Sequence, residues 1–193
     1  MVGVQPTDEL PRLAPVSYVV LGMISLRGPS TPYELEAAVD KSVAYFWSFP
    51  HSQLYREPER LAEFGLLTVQ SETKGRRRKV YSLTEVGRSA LAKWLTTPAA
   101  DVFEMRDEAV LQLFFSDQLS ADELAALARL EVELYERRLA TYAQIADLEL
   151  PRHGADRRMA PLRLGIKLGE AFRDFWAEIA DDPPPASPPR PPR

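Results

Sequence analysis

Residues 51–83 read HSQLYREPERLAEFGLLTVQSETKGRRRKVYSL. Leu54, Tyr55, Leu61, Ala62 and Phe64 recur at helical spacing after Pro50, and Gly65 closes the run, so a helix is predicted from Pro50 to Phe64. Pro58 lies inside it, where proline removes the bond to the Leu54 carbonyl at a cost of roughly 3 kcal/mol, so a bend is expected. A start at Pro58 instead leaves about two turns, shorter than a globular helix normally runs. Leu66 to Glu72 and Val80 to Leu83 are short β-compatible runs, and the charged segment 73–78 between them holds the glycine that a hairpin turn requires. Five bases, Lys74, Arg76, Arg77, Arg78 and Lys79, crowd onto that tip.

Working upstream, Val16 to Leu26 is apolar on all sides, follows Pro15 and stops at Gly28-Pro29, which reads as a buried helix. Thr31 then supplies a capping residue and Pro32 a first helical position. Tyr33, Leu35, Ala38 and Val39 give a second short helix with Glu34 and Glu36 on its wet side. An aromatic connector, YFWSF at 45–49, leads into the third helix. Downstream, Thr84 caps a helix whose Val86, Ala90, Leu91, Trp94 and Leu95 form one apolar face, ended by Pro98. Three helices followed by a hairpin is the order of a winged helix-turn-helix, in which the third helix enters the major groove and the hairpin tip reaches the adjacent backbone or minor groove.

The chain has 193 residues, 45% hydrophobic and 27% charged, an ordinary globular balance. Its net charge of −4 is unevenly divided. Residues 16–97 hold eleven Lys/Arg against eight Asp/Glu, and residues 98–182 hold ten against eighteen. The first half is therefore basic and the second acidic. With no cysteine and only His51 and His153, thiolate chemistry, disulfides and multi-histidine metal sites are excluded. No apolar run approaches the ~20 residues of a membrane span. Asp8 and Glu9 stand where a secretory signal places positive charge, so a cytoplasmic location is expected.

The second half reads as helical throughout. Arg106 to Gln118 carries Val110, Leu111, Leu113, Phe114 and Phe115, and Ser120 with Glu123 forms a capping box that opens a helix to about Leu148. Two apolar rows run along it, one through Leu127, Leu130, Leu134, Thr141, Ile145 and Leu148, the other through Val132, Tyr135, Leu139, Tyr142 and Ala146. A lone surface helix needs one stripe, so packing within the chain and against a second copy is expected. A last helix is predicted from about Pro161 to Ile179, where Gly165 and Gly169 either allow close approach of a neighbour or are simply tolerated in the packing. The organisation is thus a disordered stretch 1–14, a winged helix-turn-helix domain 15–98, a helical dimerisation or effector domain 103–180, and a disordered proline-rich tail 181–193. A proline-reading adaptor is one conceivable partner for that tail.

The expected fold class is mainly α with a small β-hairpin wing. On the third helix, His51, Ser52, Gln53 and Arg56 occupy the turns that meet base edges, Gln suiting adenine and Arg guanine. Tyr55 is a donor to phosphate or, alternatively, a core ring beside Leu54. Thr31 and Tyr33 at the start of helix two are backbone candidates. The wing arginines present planar donor forks to phosphate oxygens, and their clustering makes a strong, salt-dependent attraction to DNA.

The stretches SQLYR (52–56), RLAEFGLL (60–67) and KGRRRKVYSLTEVGR (74–88) resemble the DNA-binding domain of the PadR family of transcriptional regulators, over residues 16 to about 97. The helices beyond Phe103 resemble the long C-terminal extension of its larger members. Many relatives carry proline directly after the third-helix tyrosine, whereas here Arg56 follows and proline comes at 58. The resemblance implies a homodimer that binds an inverted-repeat operator on double-stranded DNA and acts as a repressor. It also implies release by a small aromatic or amphipathic inducer. Phe46, Trp47, Phe49, Trp94, Phe103, Phe172 and Trp176 are candidates for the pocket, with core packing as their competing role. No cofactor and no metal is called for, and no catalytic motif is present. The alternative is a winged helix that docks a protein partner without DNA.

Overall fold

Pro15 pre-sets the first turn of α1 (Pro15–Arg27), and Thr31 with Pro32 does the same for α2 (Pro32–Asp40). The computed structural model describes residues 12–48, 50–71, 78–99, 104–154 and 156–186. The chain divides into two compact units, Met1–Val102 and Phe103–Arg193. In the first, α1 and α2 are followed by a 3₁₀ turn at Val43–Tyr45, then α3 (His51–Glu63), strands β1 (Leu67–Ser71) and β2 (Lys79–Leu83), and α4 (Glu85–Thr96). The second holds α5 (Glu108–Phe114), 3₁₀ turns at Ser116–Gln118 and Arg157–Met159, the 33-residue α6 (Ala121–His153), and α7 (Ala160–Asp181). This is the mainly helical, winged architecture expected from the sequence.

Pro50 lies just outside α3, and the helix continues through Pro58 without restarting. Pro58 is itself fully buried in one stripe with Leu54, Glu57 and Leu61, so packing compensates for the missing backbone bond. The core of this unit joins Val20 and Leu21 of α1, Leu35 of α2, Leu54 and Leu61 of α3, and Leu66 before β1. α1 is not buried all round as its composition suggested: Leu26 is exposed, while Ser17, polar, is completely enclosed. The apolar face of α4 is likewise only partly covered, with Leu91 buried and Trp94 stacked on Tyr18 of α1 at 4.5 Å.

The hairpin pairs antiparallel from Leu67 opposite Leu83 to Ser71 opposite Lys79, one residue offset at its ends from the expected strands. Two features anchor it. Ser30, just before α2, exchanges both backbone hydrogen bonds with Tyr81 of β2 at 2.9 and 3.0 Å. At the other end, Gly87 packs so closely that a Cβ there would stand 2.2 Å from the Leu66 carbonyl oxygen, which only glycine permits. The wing is thereby fixed to α2 and α4.

In the second unit α5 is a short α-helix followed by a 3₁₀ turn, in place of one helix from Arg106 to Gln118. Asp107 starts it by accepting from the Val110 amide at 3.1 Å. The capping box at Ser120 and Glu123 forms as expected, but α6 runs beyond Leu148, through Pro151, to His153. Glycines on α7 bring α6 close: a Cβ on Gly169 would meet Leu139 at 2.9 Å, and one on Gly165 would meet the Tyr142 ring at 3.2 Å. Of the two apolar rows on α6, that of Val132, Tyr135, Leu139 and Tyr142 is buried or half-buried, with Tyr135 stacked on Phe172 of α7 at 5.1 Å. The other is more open, with Leu130, Leu134 and Leu148 at 61%, 50% and 63% exposure and Leu127 and Ile145 half-buried. Among the described residues no helix is long and apolar enough to cross a membrane.

Candidate nucleic-acid interface

The Ser30–Tyr81 bridge sets the start of α2 beside the base of the wing. A groove of about 730 Å³ results, lined by Thr31, Pro32, Tyr33, Glu34, Tyr55, Arg78 and Lys79. Five of the residues expected to touch DNA thus meet on one surface, from α2, α3 and β2. Lys74, Arg76 and Arg77 lie outside the described residues.

Thr31 is committed to its own helix. Its amide and hydroxyl donate to Glu34 Oε2 at 2.8 and 2.9 Å, and the Glu34 amide donates back to the Thr31 hydroxyl. These bonds, helped by the charges of Arg78 and Arg27, hold the Glu34 carboxyl below the usual carboxylate range. Tyr33 is exposed and free to contact a ligand.

On α3 the buried stripe of Leu54, Glu57, Pro58 and Leu61 turns His51, Ser52, Gln53, Tyr55 and Arg56 outward. Ser52, Gln53 and Arg56 have no side-chain hydrogen-bond or ion-pair partner among the described residues, leaving their donors available. Tyr55 is not a core ring: at 46% exposure its hydroxyl donates to Glu36 Oε2 of α2 at 2.5 Å. The same carboxylate meets His51 Nδ1 at 3.1 Å through Oε1. The hydrogen bond to Glu36, with burial and the Glu36 charge behind it, keeps the Tyr55 phenol above its ordinary pKa. Glu36 is therefore not merely a solvated residue of α2; its spacing gave no sign of the tie to α3.

Two further carboxylates of α3 carry no sign of their roles in the sequence pattern. Glu59 pairs with Lys79 of β2 and raises the lysine's pKa, so this wing base is partnered within the chain. Glu57 is buried and accepts from the Ser17 hydroxyl at 2.6 Å and from Arg60 Nη2 and Nε at 2.6 and 2.9 Å. The i,i+3 spacing of Glu57 and Arg60 was the one signal available for this cluster.

The described aromatic candidates for a ligand pocket are divided between the two units. Phe46, Trp47 and Trp94 belong to the first unit, and Phe172 and Trp176 to the second. None of them lines the groove or the cavity of about 560 Å³ beside Glu178, Ile179, Asp181, Asp182 and Pro184. Trp176 is wholly buried in the second core, and its indole nitrogen has no hydrogen-bond partner among the described residues. Phe49 and Phe103 lie outside the described residues. No acidic or histidine cluster among the described residues could hold a metal ion.

A three-helix core bearing a two-stranded wing, with a basic groove beside an outward-facing third helix, defines the winged-helix class of DNA-binding regulators. Residues 20–93 match the family described as Transcriptional regulator PadR-like family, and residues 105–181 match Virulence activator alpha C-term. The chain thus carries a PadR-like transcriptional-regulator domain over residues 20–93. It is 27% identical over 127 residues to the negative transcriptional regulator PadR of Bacillus subtilis, covering 65% of this chain and 69% of that protein. Its fold is similar to that of Bacillus subtilis PadR in complex with operator DNA, with a TM-score of 0.76 at 21% identity over 86% of this chain and 97% of the other. The complex of the same protein with p-coumaric acid gives 0.72 at 22% identity, covering 86% and 96%. The virulence activator AphA of Vibrio cholerae gives 0.67 at 28% identity, also covering 86% and 96%.

Proposed function

We propose that this chain is a sequence-specific, homodimeric repressor that binds an inverted-repeat operator and is released by a small aromatic or amphipathic ligand. The observation that carries the DNA reading is the convergence of Tyr33, Tyr55, Arg78 and Lys79 on one groove beside the unpartnered Ser52, Gln53 and Arg56. The groove supplies the Arg78 cation and the Tyr33 hydroxyl for phosphates, and the helix supplies donors for base edges. The open row of Leu130, Leu134 and Leu148 on α6 supports a second copy packed there. Residues 15–98 serve as the DNA-binding domain and 103–180 as the dimerisation and effector domain; residues 1–11 and 187–193 lie outside the described residues. An inducer is supported by the p-coumaric acid complex of Bacillus subtilis PadR. A ligand that changes the dimer angle changes the separation of the two recognition helices, which must match about one turn of DNA. The protein works in the cytoplasm and catalyses no reaction. A mobility shift with the DNA upstream of its own gene tests this reading, and failure to shift that DNA or a selected duplex contradicts it.

A further inference from the structure

Glu36 divides its two carboxylate oxygens between two residues one turn apart on α3, Tyr55 at 2.5 Å and His51 at 3.1 Å. The i,i+4 spacing places both on the same face of the helix. A phenol has one proton to donate and lone pairs to accept with. With that proton committed to Glu36, Tyr55 meets any further partner as an acceptor. An imidazole that donates from Nδ1 likewise leaves Nε2 as an acceptor while the ring is neutral. A phosphate oxygen is also an acceptor and carries negative charge, as Glu36 does. This edge of α3 is therefore matched to a hydrogen-bond donor and mismatched to the DNA backbone. The donors exposed in the major groove are the adenine N6 and cytosine N4 amino groups.

Resting on the reading of α3 as a recognition helix, we propose that Glu36 is a specificity-determining positioning residue: by holding the Tyr55 proton it makes Tyr55 a reader of a base amino group instead of a phosphate clamp. Glu36 acts through Tyr55, and its charge repels backbone phosphates from the same edge. Arg78, across the groove, remains the group suited to those phosphates.

The test uses the full chain and a duplex selected by it from a random pool. Each adenine is replaced in turn by purine, which lacks the 6-amino group, and each cytosine by 2-pyrimidinone, which lacks the 4-amino group. Affinities are read by fluorescence anisotropy for the wild type, Y55F, E36A and E36Q; Y55F cancels the cost of the weakened base pair. At one position per half-site the wild type should lose about three- to tenfold more affinity than Y55F, the scale of one hydrogen bond. The analogue that produces the loss identifies the base. E36A should lose the same discrimination while binding unrelated duplexes more tightly, because a negative charge is gone and the Tyr55 proton is free for phosphate. E36Q, whose amide carbonyl still accepts, should retain the discrimination. A wild type indifferent to every amino removal, or an E36A protein weakened equally on all duplexes, would overturn the inference while leaving DNA recognition intact. A wild type that selects no duplex would overturn DNA recognition itself.

Discussion

Ser17 of α1 donates its hydroxyl to Glu57 of α3 at 2.6 Å, joining residues 40 apart in sequence inside the core. Arg60 completes the cluster by bonding both Glu57 oxygens and the Ser17 oxygen, the last at 3.2 Å. The third helix, α3, is thus pinned at its midpoint by polar bonds as well as by Leu54 and Leu61. Replacing Glu57 with alanine strands the guanidinium and should cost about 2 to 4 kcal/mol of unfolding free energy, whereas Ser17→Ala should cost about 1 kcal/mol. Urea denaturation measures both, and an E57A protein as stable as the wild type would show that the cluster does not hold the helix.

Glu59 and Lys79 link α3 to the wing across a solvent-exposed surface. Because water screens the pair, E59Q should leave the unfolding midpoint unchanged. Its effect should appear on DNA, where the released lysine can neutralise one more phosphate. The slope of log affinity against log salt should steepen by about 1. An unchanged slope would mean that Lys79 faces away from the duplex.

The wing's place after a third helix was legible because glycine punctuation, short β-compatible runs and a capping threonine each act over a few residues. Thr31, Thr84 and Ser120 all cap the helices they precede, for the same local reason. What stayed hidden depends on distant neighbours. Nothing near Ser17 announces that Glu57 will meet it, and Glu36 looks solvated until α3 is placed against α2. The end of α6 is not legible near Leu148 because Pro151 suggests a stop, whereas the helix continues through it to Gly154, which has a positive φ of 57°. The aromatic residues were visible as a set, but chain position alone could not separate Trp176, a core ring, from the exposed Phe46 and Trp47.

The capping box at α2 has a pH signature. The Thr31 amide and hydroxyl, then the charges of Arg78 and Arg27, lower the Glu34 pKa below its ordinary value of 4.5. Since the folded value is the lower one, this contribution to stability is complete above the unfolded carboxylate pKa and is lost as pH falls through the folded value. A carbon-detected titration should place the Glu34 carboxyl below 4.5. T31V, which removes the hydroxyl, should move it upward. A Glu34 that titrates at or above its ordinary value would contradict the geometry.

The open leucine row of α6 predicts self-association. Leu134, at 50% exposure between Leu130 and the polar turns beyond it, is the position at which a charge most directly opposes a second copy. L134K should convert a dimer to a monomer in sedimentation velocity without loss of helical signal. A wild-type monomer at micromolar concentration would remove the basis for paired recognition helices.

The most direct test of DNA recognition is the affinity of the full chain for a selected duplex, measured as salt is raised, for the wild type and for a variant with Arg76, Arg77 and Arg78 changed to alanine. Wild-type affinity should fall steeply with salt, and the variant should bind all sequences more weakly, with a slope shallower by about 1 for each phosphate that the wing no longer neutralises. Q53A and R56A should instead change which sequence is preferred, at about 1 to 3 kcal/mol for a bidentate hydrogen bond to a base. Equal affinity and equal salt dependence in the wild type and the triple variant would contradict the claim that this wing and helix grip DNA.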